Sequence, residues 1–164
     1  MNVKTLIKSY LEEVLLLQVA TSTRETPWIF TVCFAPDATF NLYWFSRHNT
    51  RHSQEIALNP QVAGAVALPY SRGEKTRGLQ LSGVVTELME EPDLTTGLVA
   101  MQKRYGTKNE RIDQLRQEIL TGTADYGLYR LQPEKVILYD TLNFPDSPRR
   151  EYQVPKITTA KRRV

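Results

Sequence analysis

Between Val14 and Ser46 the chain carries three β-rich runs separated only by short turns, with no room for a crossover helix. Val14 to Thr23 is rich in Val, Leu and Thr and reads as a strand buried mostly on both faces. Arg24-Glu25-Thr26-Pro27 reads as a turn, and Trp28 to Ala35 as a second strand. Pro36-Asp37-Ala38-Thr39 is another turn, and Phe40 to Ser46 a third strand. Strands joined this closely pair antiparallel, as a meander. A doubly wound nucleotide fold is excluded here.

The flanking segments add helices and further strands. Val3, Leu6, Ile7, Tyr10, Leu11 and Val14 recur at helical spacing opposite Lys4, Lys8, Glu12 and Glu13, which predicts a helix from Asn2 to Glu13. Asn49 or Thr50 can cap a short helix from Arg51 to Leu58, closed by Asn59-Pro60. Gln61 to Leu68 and Arg77 to Leu88 read as strands around a polar loop, Tyr70 to Thr76. Gly78 and Gly83 mark points where the second of these bends or admits a close neighbour. Pro92, at a first-turn position, opens a helix running to Tyr105-Gly106, whose apolar residues from Leu94 to Met101 are read as packing. A second helix follows from Asn109 to Leu120, then strands at Tyr126 to Leu131 and Lys135 to Tyr139. The sum is a mainly β, α+β chain: about six antiparallel strands in a small barrel, with helices packed outside. It is read as one domain over 1–155 with a basic tail at 156–164.

Charge narrows the partners. The chain has 21 basic and 18 acidic residues, but Lys156, Lys161, Arg162 and Arg163 all lie in the tail, leaving 17 against 18 elsewhere. The basic pI therefore describes a tail and not a basic face, which argues against nucleic acid as a partner. One cysteine, Cys33, excludes an internal disulfide framework and a Cys-based zinc site, and reads as a buried small hydrophobe. Two histidines leave little for a metal centre. No apolar run approaches the roughly 20 residues a bilayer requires, and no basic-then-apolar leader opens the chain, so a cytoplasmic location is expected.

The most informative stretch is Phe45-Ser46-Arg47-His48-Asn49-Thr50-Arg51-His52. A strand ends in a serine and leads into a helix whose first turn carries two basic side chains. Cations at a helix N-terminus are unfavourable by a few tenths of a kcal/mol unless something negative sits nearby. A phosphate would reverse that sign, taking the free N–H groups, the Ser46 and Thr50 hydroxyls and the Arg51 fork. A solvated helix start with an ordinary cap fits the same residues, and both readings stand at this point.

With Pro27 to Ala35, Phe45-Ser46, Thr50-Arg51-His52, Asn59-Pro60 and Arg77-Gly78-Leu79-Gln80-Leu81-Ser82-Gly83 in this order, the chain resembles the pyridoxamine 5′-phosphate oxidase-like FMN-binding split-barrel family. The resemblance covers Val14 to Leu88 well and the remainder loosely. It implies an antiparallel split β-barrel with peripheral helices, and a homodimer with cofactor sites at the interface. It also implies that Ile29, Phe30, Thr31 and Val32 offer main-chain contacts to the flavin ring. Phe45 and Ser46 would approach the ribityl chain and phosphate, and Thr50, Arg51 and His52 would bind the phosphate. Histidine at position 52 departs from the usual lysine, so affinity is expected to fall as pH rises through the imidazole pKa. Gly78 and Gln80 would face the flavin edge, and Asn143, Phe144 and Arg149 would close over the ring from the partner. Without the resemblance, Thr31 and Val32 are ordinary strand residues, Gln80 an exposed one, Gly78 a relief of crowding, and Trp28 and Trp44 packing.

No nucleophile elbow, phosphate-binding Gly-rich loop or His-Glu-x-x-His occurs, and no catalytic or metal-binding residue is assigned. FMN would carry the redox chemistry and the protein would position it, which implies an oxidoreductase acting on a small molecule. Family members that oxidise vitamin B6 use a late arginine and histidine, and no histidine follows His52, so that substrate is not expected. The alternatives are an FMN carrier or sensor without turnover, an F420-binding relative, a haem-handling relative, and a module whose basic tail docks an acidic partner.

Overall fold

A computed structural model describes residues 2–23 and 25–155, so the basic tail at 156–164 lies outside the described residues. The elements run α1 (Val3–Glu13), β1 (Leu16–Thr23), β2 (Thr26–Cys33), β3 (Ala35–Pro36), β4 (Leu42–Arg47) and α2 (Arg51–Leu58). They continue β5 (Gln61–Ala67), β6 (Arg77–Glu87), α3 (Asp93–Tyr105), α4 (Asn109–Leu120), β7 (Tyr126–Asp140) and β8 (Arg149–Gln153). Every strand pairing is antiparallel, in the order β2-β1-β5-β6-β7-β4-β3, with β8 added to β7.

The two ends of that path are consecutive in the chain, joined by Phe34 alone. Cys33 still opposes Leu16 of β1, whereas Ala35 opposes Tyr43 of β4. The chain passes itself from one edge of the sheet to the other and curls the sheet into a barrel. Among the described residues no ladder joins β2 to β4, so the barrel is split there. Phe34 is held on three sides. Its fully buried ring packs in the barrel core with α1, its N–H donates to Leu15 O at 3.2 Å, and its carbonyl accepts from the Tyr105 hydroxyl at 2.9 Å.

The split barrel with peripheral helices agrees with the expected fold class, and several details do not. The three early strands form no meander: β1 and β2 make a hairpin, while β4 pairs with β7 on the far side. Short turns set antiparallel direction but not the edge a strand joins, and the switch at Phe34 decides that. β1 is buried on one face only, through Leu17, Val19 and Thr21, with Leu16 exposed. Thr26 and Pro27 belong to β2, because Thr23 opposes Thr26 across a tighter turn. The last two expected strands are one, β7. It continues through Pro133 because Glu134 is an extra residue opposite the Ser82/Gly83 step, where a Cβ on Gly83 would lie 2.2 Å from Gln132 O. The polar β8 was not expected, and Pro92 sits one position earlier, at the N-cap of α3.

β4 is the common wall of two cores. Leu42 and Trp44 face the barrel interior with α1, α2 and the β1–β5–β6 faces, while Tyr43 faces α3 and α4. Hence Leu42-Tyr43-Trp44 is buried throughout. Replacing Phe34 by Ala should cost about 3–5 kcal/mol, since it empties a packed site at the closure. Urea denaturation would check it, and a loss below about 1 kcal/mol would show that the closure does not depend on that ring.

Candidate functional site

The N-terminus of α2 lies along the inward face of β2. Thr50 is its N-cap, and its hydroxyl accepts from Ser53 N at 3.4 Å. The Arg51 guanidinium sits 4.3 Å from the Trp28 ring centroid, and the His52 ring stacks on Phe30 at 3.9 Å and 11°. Trp28 and Phe30 are two apart on one strand face, so the two basic side chains stand side by side about 7 Å apart. From β4, Ser46 Oγ is hydrogen-bonded to His52 Nε2 and lies 3.5 Å from Thr50 Oγ1. Ser46, Thr50, Arg51 and His52 are therefore brought together. With Ser53 N taken by the cap, the Arg51 and His52 N–H groups of the first turn have no acceptor within the helix.

The charges here are balanced. Arg51 Nε donates to Glu55 Oε1 at 2.7 Å, and the other Glu55 oxygen accepts from the Thr21 hydroxyl of β1. Bonds from Thr21 and Arg51 hold the Glu55 carboxyl below its ordinary pKa. Burial lowers the His52 pKa, against an opposing pull from Glu55, so its ring is neutral at neutral pH. The pH at which His52 gains charge is therefore lower than the usual imidazole value.

The remaining expected residues lie outside that cluster. β2 pairs only with β1 among the described residues, so along Ile29, Phe30, Thr31 and Val32 one backbone edge faces the split. Phe45 points away from Ser46, toward α3 and α4. Gly78 and Gln80 lie on β6, three strand spacings from β2, or about 14 Å. A Cβ on Gly78 would meet Val66 O at 2.9 Å, so glycine relieves crowding there, and Gln80 is exposed on the outer sheet face. The Asn143 amide is bonded to Asp140 at 2.7 Å, Phe144 lies under Arg150, and Arg149 opens β8. Among the described residues no hydrogen bond links these three to Ser46, Arg51 or His52.

Beside the cluster, where β2 and β4 part, lies a cavity of about 400 Å³ lined by Val32, Cys33, Phe45, Met101, Tyr105, Thr107, Ile112 and Leu115. That volume is within the range of small-ligand sites, and its walls are mostly apolar. Cys33 is exposed, not buried, because it lines this cavity and is packed into neither core. Sequence reasoning missed Glu55, Thr21 and the cavity-lining part of α3 and α4. Glu55 had a local signal, its i,i+4 spacing from Arg51. Thr21 had none, because only the strand pairing brings it there.

No family model matches the chain. A UPF0306 protein of Photorhabdus laumondii is 30% identical over 89 residues, which are 54% of this chain and 62% of that protein. A UPF0306 protein of Yersinia enterocolitica is 33% identical over 58 residues, 35% of this chain and 40% of that one. The chain thus spans less than two thirds of either curated relative. Among solved structures, HutZ, the haem storage protein of Vibrio cholerae, is 25% identical with a TM-score of 0.63, covering 82% of this chain and 92% of that one. A Listeria innocua protein provisionally named a pyridoxamine 5′-phosphate oxidase is 16% identical (TM-score 0.59, 84% of this chain and 98% of that one). An FAD-binding protein of Mesorhizobium loti is 18% identical (TM-score 0.57, 79% and 87%). The fold is the split barrel of pyridoxamine 5′-phosphate oxidase-like proteins. Among the described residues no helix is long and apolar enough to cross a membrane.

The lowered His52 pKa sets a testable pH response. Below the ordinary value of 6.5 the unfolded chain takes up a proton that the folded His52 resists, so stability falls with pH from there downward. Between about pH 7.5 and 5.5 the parent should lose more urea stability than the His52→Gln variant. Parallel profiles would mean that His52 titrates alike in both states.

Proposed function

We propose that the chain binds FMN, with its phosphate at the N-terminus of α2 and its ring toward the split, and serves as an FMN-dependent oxidoreductase on a small molecule. The observation that carries this reading is the adjacency of a phosphate-type donor set to an apolar cavity across β4. The donors fit one phosphate group. They are the Arg51 and His52 N–H groups of the first turn, the Ser46 hydroxyl, the Thr50 hydroxyl once it turns from Arg47 O, and the terminal nitrogens of Arg51, for which no hydrogen bond occurs among the described residues.

When bound, FMN supplies hydride and electron transfer. The chain's residues do the rest. Arg51, braced on Trp28 and Glu55, holds the anion, and Ser46 and His52 adjust their shared hydrogen bond to it. The open edge of β2 at Ile29, Phe30, Thr31 and Val32 offers backbone donors and acceptors that fix the orientation of a planar ring. Phe45 and the α3–α4 wall keep water from one side of it.

We further propose a homodimer. On the outer sheet face the rows Ile29–Ala20–Ala63–Ser82 and Thr31–Gln18–Ala65–Gln80 contain no charged side chain, and Ile29 is 64% exposed. An uncharged face of this kind suits an isologous contact with a second copy. Pairing there would bring Gln80 and Gly78, which one protomer holds far from its own α2, toward the site of the other.

The HutZ likeness favours haem as the second reading. Against it, the chain has only two histidines, and both are engaged through Nε2, His52 with Ser46 and His48 with Glu87. An absorbance spectrum after loading with either group separates the two. Arg51→Ala should weaken FMN binding by about 1–3 kcal/mol in a flavin-fluorescence titration, and unchanged affinity would remove Arg51 from the site. Ala63→Arg should turn the dimer into a monomer by light scattering; a surviving dimer would place the interface elsewhere.

A further inference from the structure

Glu55 is only 7% exposed, and a carboxylate that far from water is costly unless its oxygens are answered. Both are: one by Arg51 Nε at 2.7 Å, the other by the hydroxyl of Thr21, itself 2% exposed on β1. The pair is unequal, with the Glu55 side chain 9% exposed and that of Arg51 46%. An ordinary helix-surface i,i+4 pair leaves both partners in water and contributes little. Here the acid is anchored in the core and the base is held at the rim. The grip is on Nε, the inner nitrogen, and the Trp28 ring supports the guanidinium at 4.3 Å. The two terminal nitrogens are left as a planar fork of the kind that matches phosphate.

We propose that Glu55 is the positioning and affinity-setting residue of the phosphate site. It aims the outer edge of Arg51 at the phosphate, and its charge offsets that of Arg51, so the ligand is held exchangeably. This rests on the reading of α2 as the phosphate end of a cofactor site. With His52 neutral, the charges joined in the cluster among the described residues, Arg51 and Glu55, cancel. A phosphate ester entering it gains directed hydrogen bonds but little net attraction.

The two roles act in opposite directions, which makes them separable. Glu55→Gln keeps the shape, with its carbonyl accepting from Arg51 and its amide donating to Thr21, but removes the opposing charge. It should bind FMN and inorganic phosphate about tenfold more tightly than the parent. Glu55→Ala frees Arg51 and should bind both about tenfold more weakly. The Arg51 Nε–H resonance should be protected from solvent exchange in the parent and in Glu55→Gln, and exchange rapidly in Glu55→Ala. Binding by Glu55→Gln equal to or weaker than the parent would overturn the proposal, as would a protected Nε–H in Glu55→Ala. If Glu55→Ala fails to fold, the Glu55→Gln arm decides alone. A parent that binds phosphate but not FMN would remove the FMN reading and leave Glu55 to be judged on phosphate. A parent that binds neither would overturn both.

Discussion

The sheet depends on a single residue of chain, because Phe34 is all that separates a strand paired on one edge from a strand paired on the other. A barrel can close by pairing its last strand with its first; this one closes through the covalent backbone. That solution requires the crossing residue to be anchored in every direction. Phe34 meets the requirement with a core-packed ring, an N–H bonded toward β1 and a carbonyl bonded to α3. It also leaves β2 and β4 apart, and that parting creates both the seat for α2 and the apolar cavity. The site is thus a consequence of how the barrel is shut.

Two buried carboxylates show how one device serves two ends. Asp140, fully buried, accepts from the Tyr10 hydroxyl at 2.7 Å, from the Leu142 and Asn143 N–H groups, and from the Asn143 amide. Burial raises its pKa, but these bonds outweigh burial and hold it low, while burial and Asp140 together push Tyr10 up to about 12. All of its partners are internal, so it ties α1 to the end of β7. Glu55 uses the same kind of saturation, yet one partner is a cation at the rim. The first carboxylate locks two elements together; the second holds a charge in place for something outside the protein.

Much of this was legible in the residues. Apolar spacing located α1, cap and breaker residues located α2 and α3, all four expected helices fall within a residue or two of those observed, and the Ser46-to-His52 stretch led to the cluster that the fold assembles. Turn chemistry also showed that the early strands run antiparallel. It could not show which edge each strand joins, because that depends on where the chain crosses the core, and a phenylalanine in a β-rich run carries no mark of it. Pro133 lies between the two strands expected where β7 runs unbroken, and the bulge at Glu134 that admits a proline there is visible only in the pairing. Glu55 was not singled out, because nothing local marks a helix glutamate as buried, and Thr21 had no local signal. The late segment at Asn143 was expected over a cofactor, and its amide is already used by Asp140.

The alternation along β4 has a mechanical consequence. Phe45 and Ser46 are neighbours pointing to opposite sides of one strand, the first into the cavity under α3 and α4, the second into the cluster at α2. Just before them, Leu42-Tyr43-Trp44 is packed on both faces and has no slack to absorb a shift. Whatever fills the cavity leans on the partition that the anion cluster shares. The strand is therefore a partition between two chambers, and a single molecule touching both must pass through the gap between β2 and β4.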